Sequence, residues 1–122
     1  MSTPSILLVD DDAWQLGIYR RTLEKAGFLC RTSPHLAGAI DCIDEQLPDV
    51  IILDVLLDGN TAFVLLNELQ SDMKLANIPV IMASNIAVEL QPEKLRAYGV
   101  RRVLDKATAH PSDVVAAVKA VL

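Results

Sequence analysis

The stretch Ile6-Leu7-Leu8-Val9-Asp10-Asp11-Asp12 decides the reading of this chain. Four aliphatic residues in a row fit a strand covered on both faces. Three acids then end it abruptly. The same design returns as Val50-Ile51-Ile52-Leu53-Asp54 and as Pro79-Val80-Ile81-Met82-Ala83-Ser84. Phe28–Thr32 and Arg102–Leu104 supply two weaker strand candidates. Helical periodicity fills the gaps: Leu16, Tyr19, Leu23 and Ala26 with Gly27 behind them, then Leu36, Ile40, Ile43 and Leu47 before Pro48. It recurs as Ala62, Leu65, Leu66, Leu69 and Met73. A shorter helix is predicted from Pro92 to Gly99, and a last one from Pro111 that buries Val114, Val115, Val118 and Leu122. Strands alternating with helices predict an α/β fold, a doubly wound parallel sheet with helices on both faces.

Length and composition fit that reading. The 122 residues suffice for one domain, 1–122, and an output domain within them is not expected. Hydrophobic residues make up 52% of the chain, which excludes a disordered polymer, and aromatics only 4%, so the core is aliphatic. The net charge of −5 argues against direct nucleic-acid binding. The acids are concentrated: residues 1–60 carry ten acids and four bases, residues 61–122 six and seven. Cys30 and Cys42 are too few for a disulfide framework and read as small apolar residues. The N-terminus lacks the basic region of a signal peptide, and no apolar run reaches the ~20 residues of a membrane span. A cytoplasmic location is therefore expected.

In such sheets chemistry collects beyond the carboxyl ends of the strands. Asp10, Asp11, Asp54, Ser84 and Lys106 all fall there. Each has an ordinary explanation alone; Asp12 suits a helix N-cap, and Asp58-Gly59 is a turn signal. Together, Asp10, Asp11 and Asp54 would repel one another without a cation. Mg²⁺ held by carboxylates and water answers that need. Mg²⁺ in such a site usually handles phosphate, and Asp54, near the middle of the sheet edge, is the natural nucleophile for an aspartyl-phosphate. Lys106 and Ser84 would then contact the phosphoryl oxygens.

With these residues in place, the chain resembles the receiver domain of two-component response regulators over nearly its whole length. The matching stretches are Ile6–Asp12, Pro48–Asp54, Ile78–Ser84 and Gly99–Lys106. The resemblance implies a flavodoxin-like (βα)5 fold with strand order 2-1-3-4-5. It implies that Asp54 is the phosphoacceptor, that Asp10, Asp11, Asp54 and the backbone carbonyl of Leu56 hold Mg²⁺, that Ser84 is the switch hydroxyl, and that Lys106 pairs with the phosphoryl group. The donor would be a sensor histidine kinase or a histidine phosphotransfer protein, and the output an unknown domain or protein reached as a monomer or a phosphorylation-dependent dimer. Such a domain is not a turnover enzyme; it catalyses its own phosphorylation and slow dephosphorylation. Leu56 and Ile86, bulky and apolar where the resemblance places the path of the hydrolytic water, favour slow decay.

The chain also departs from the family. Asp58 and Ala62 stand where a proline and a glycine are usual, Ala107 follows the lysine in place of a proline, Val103 replaces the switch aromatic, and Asn85 follows the switch hydroxyl. Arg101-Arg102 replace an acidic pair used for dimer salt bridges, so that dimer is not expected, and the Lys106–Ala107 bond is expected to be trans. These changes leave a second reading, a phosphorylation-independent interaction module. Trp14 and Ile18 on the first helix are either wide packing or a docking patch. A flavodoxin-type cofactor site lacks its phosphate loop, a dinucleotide site its G-x-G-x-x-G, and a haloacid-type phosphatase would need Asp where Leu56 stands.

Overall fold

The computed structural model describes residues 3–54, 59–84 and 92–122, and within them not the side chains of residues 36, 37, 59–62, 92 and 94. The elements alternate: β1 (Ser5–Val9), α1 (Ala13–Lys25), β2 (Leu29–Ser33), α2 (Leu36–Glu45), β3 (Val50–Asp54), α3 (Gly59–Ser71), β4 (Val80–Ser84), α4 (Pro92–Arg96), β5 (Val100–Asp105) and α5 (Pro111–Val121). The strands form one parallel sheet in the order β2-β1-β3-β4-β5.

Strand alternation divides the core in two. Leu7, Val9, Ile51, Leu53, Val80 and Met82 pack on the side of α2, α3 and α4, where they meet Ile43, Leu66 and Leu95. Ile6, Leu8, Val50, Ile52, Ile81 and Ala83 pack on the other side, against Leu16, Tyr19 and Leu23 of α1 and Val114, Ala117 and Val118 of α5. Because β1, β3 and β4 are covered on both faces, their sequences are apolar throughout. Register then fixes the site: Val9 lies opposite Leu53, so Asp10 and Asp54 finish neighbouring strands at the same level.

Several expected boundaries move for local reasons. Phe28 belongs to the turn that closes α1, not to β2. Its N–H bonds to the carbonyl of Leu23 and that of Gly27 to Glu24, a Schellman closure with Gly27 at φ +97°. No atom lies within 4 Å of a Cβ placed on Gly27, so Gly27→Ala is expected to cost about 1–2 kcal/mol through backbone strain alone. Thermal unfolding of that variant reads the loss.

Leu47 and Met73 are not core residues. α2 stops at Glu45, and Leu47 stands exposed before Pro48, which disfavours helix in its predecessor. Met73, 91% exposed, sits inside a turn in which the Asp72 carboxylate accepts the Lys74 N–H at 2.8 Å. Ala26 and Leu122 are exposed past the last turns of α1 and α5. Ile18 packs partly against the core, whereas Trp14 stays 74% exposed. β5 is longer than the sequence suggests, running from Val100, and a register shift leaves Arg101 without a partner between Val100 and Arg102. Cys30 and Cys42 are half-buried free thiols. No helix among the described residues is long and apolar enough to cross a membrane.

Candidate functional site

The β1–α1 turn presents two acids in different ways. Asp12 caps α1: its Oδ1 accepts the N–H groups of Trp14 at 3.0 Å and Gln15 at 3.3 Å. Asp10 is buried; its Oδ1 accepts the N–H of Asp12 at 2.9 Å. That bond leaves Oδ2 directed to Lys106, whose Nζ donates to it at 2.9 Å. The same ammonium lies 3.0 Å from Oδ2 of Asp54 at the end of β3.

Lys106 therefore bridges two acids from two strands with its side chain only 8% exposed. Burial works against its charge, but the hydrogen bonds and fields of Asp10 and Asp54 outweigh that and raise its pKa. Tyr19, buried beneath this cluster on α1, has its phenol pushed up, chiefly by burial.

Asp11 is exposed on the same rim. One carboxylate oxygen from each of Asp10, Asp11 and Asp54 lies within 4.8 Å of the others. Three carboxylates against one ammonium leave two negative charges, an all-oxygen donor set suited to a hard divalent cation. Mg²⁺ fits on both counts. Ser84 is fully buried at the end of β4, and its carbonyl accepts the N–H of Lys106 at 3.0 Å. The structure thus brings Asp10, Asp11, Asp54, Ser84 and Lys106 to one edge of the sheet, as the strand ends predict. Leu56, Asp58, Asn85 and Ile86 lie outside the described residues.

The family model for the response regulator receiver domain matches residues 6–119. The chain belongs to that family. It is accordingly a receiver domain of two-component signalling, and membership implies a kinase or phosphotransfer partner and an output. Among relatives, the polar-differentiation response regulator DivK of Brucella ovis is 28% identical over 109 residues, 89% of each chain. Among solved structures, the Vibrio cholerae chemotaxis protein CheY4 superposes with a TM-score of 0.85 at 25% identity, covering 99% of this chain and 100% of that one. A putative response regulator from Chloroflexus aurantiacus gives 0.83 at 26%, covering 98% of both.

The receiver's departures also have a visible setting. The Lys106–Ala107 bond is trans. Val103 is half-buried against the core beneath α2–α4, and Arg96, Arg101, Arg102 and Lys119 stand exposed. Sequence reasoning missed Asp105, whose carboxylate accepts the N–H of Ala107 at 2.9 Å. An Asp two residues before a free amide in a tight loop is the signal that could have found it.

Proposed function

We propose that this receiver takes a phosphoryl group from a phosphohistidine onto Asp54 in a Mg²⁺-dependent reaction, and that the modified state controls an output partner. The observation that carries this reading is the Lys106 bridge between Asp10 and Asp54, with Asp11 within reach of both. Asp10, Asp11 and Asp54, joined by the Leu56 carbonyl, would hold Mg²⁺, which supplies positive charge beside the phosphoryl oxygens.

In the transfer, an oxygen of Asp54 bonds to phosphorus as the P–N bond breaks, and its electron pair returns to the donor imidazole. The buried ammonium of Lys106, already within hydrogen-bond distance of Asp54, turns to the incoming phosphoryl oxygens and stabilises the charge carried there. No separate base is needed, because a carboxylate nucleophile has no proton to lose as it attacks. Ser84, one residue along the neighbouring strand from the level of Asp54, supplies a hydroxyl to the modified state. The protein is half substrate and half catalyst of one modification, not a turnover enzyme.

The test uses acetyl phosphate as donor. Intact-mass measurement is expected to show one phosphoryl adduct in Mg²⁺ and none in EDTA. A chain that binds Mg²⁺ yet stays unmodified with every donor would instead be the phosphorylation-independent module.

A further inference from the structure

The loop from β5 to α5 has to stop a strand, present Lys106 and turn to Pro111 within a few residues. Three successive N–H groups follow Lys106, and all three are satisfied by one residue. Asp105 accepts from Ala107 with its carboxylate at 2.9 Å, and from Thr108 and Ala109 with its carbonyl at 3.2 and 2.8 Å. On the other side, Lys106 donates its own N–H to the carbonyl of Ser84 at 3.0 Å. The backbone of Lys106 is thus clamped between the last rung of the sheet and a turn wound around Asp105. A lysine side chain carries about 2 kcal/mol of rotamer entropy, and a fixed Cα confines where its ammonium can reach. The Asp105 side chain reaches no part of the ammonium; its carboxylate bonds to a backbone amide.

We infer that Asp105 is a positioning residue, which aims Lys106 at Asp10 and Asp54 by closing an Asx turn on the Ala107 amide. The inference deepens the phosphoacceptor reading and rests on it for its kinetic consequence. It also accounts for Ala107 beside the lysine. A proline there would have no N–H to give to Asp105.

The variants are Asp105→Ala, which removes the acceptor, and Asp105→Asn, which keeps an amide oxygen in place and removes the charge. Two quantities are read: the ¹⁵Nζ/¹Hζ signal of Lys106 in the metal-free protein, and the rate of phosphoryl incorporation from acetyl phosphate in Mg²⁺. Asp105→Ala is expected to shift or broaden the Lys106 signal and slow incorporation about ten- to a hundredfold, the scale of a misplaced catalytic group. Asp105→Asn is expected to restore both to near the wild-type values.

An unchanged signal in Asp105→Ala overturns the inference. So does an Asp105→Asn protein as impaired as Asp105→Ala, because the charge and not the turn would then matter. Should Asp105→Ala fail to fold, amide exchange in the wild-type protein decides: a slow Ala107 amide supports the turn, and one exchanging at the free-peptide rate overturns it. Should wild type take up no phosphoryl group, the phosphoacceptor reading fails separately, and the Lys106 signal alone judges the turn.

Discussion

Lys106→Met is expected to lower stability by about 3–5 kcal/mol at neutral pH without divalent cations. The ammonium is buried between Asp10 and Asp54, and its removal leaves two buried carboxylates facing each other and Asp11 close by. Taking the one ammonium from a buried charge cluster costs this much because the remaining like charges lose the cation that offsets their repulsion and their burial. Methionine keeps the length of the stem, so packing changes little. Mg²⁺ is expected to recover part of the loss, since it binds the folded state through the same carboxylates, and saturation a hundredfold above Kd contributes about 2.7 kcal/mol. The added stability should exceed that given to wild type, where the ammonium already occupies the cluster. Urea unfolding with and without Mg²⁺ measures both effects. An unfolding midpoint equal to wild type would show that the bridge contributes nothing.

The second large effect is loss of the metal. Asp11 lies exposed on the rim, apart from the Lys106 bridge, so Asp11→Ala is expected to leave stability within about 0.5 kcal/mol. Removing one of three converging carboxylates strips charge and a ligand atom from a weak, largely hydrated Mg²⁺ site. Calorimetric heats of Mg²⁺ binding should disappear in the variant. Trp14, exposed on the first turn of α1 and three residues from Asp11, offers a fluorescence reading of the same event. Undiminished binding in Asp11→Ala would place the ion elsewhere.

The parts of this molecule that the sequence discloses are those under uniform burial. β1, β3 and β4 read plainly because both of their faces are covered, which removes polar residues from the run, and the acids that follow mark the sheet edge. β5 is legible only over Arg102–Leu104, and its start at Val100 is not, because a bulge puts Arg101 and Arg102 side by side on an edge strand and breaks the alternation that would announce it. Leu47 and Met73 continue a helical period past the end of the helix. Periodicity carries no signal for the turn at Asp72, whose carboxylate and carbonyl take the next amides.

The site shows the same division. Strand ends placed Asp10, Asp11, Asp54, Ser84 and Lys106 together. The contact between Lys106 and Asp10, 96 positions apart, depends on tertiary packing that spacing alone does not encode. The sequence predicts only that Lys106 contacts a phosphoryl group; in the structure its ammonium is already committed to two carboxylates. Phosphorylation would then exchange one set of partners for another, not recruit a free cation.

The most direct test of the phosphoacceptor at this edge compares wild type with Asp54→Asn in Mg²⁺ and acetyl phosphate, by intact mass and by mapping the modified peptide. Asparagine nearly preserves the shape of the side chain but carries no nucleophilic carboxylate. One phosphoryl group on the peptide containing Asp54 in wild type, and none in the variant, is the expected result. A phosphoryl group on another residue, or equal incorporation in Asp54→Asn, would contradict it.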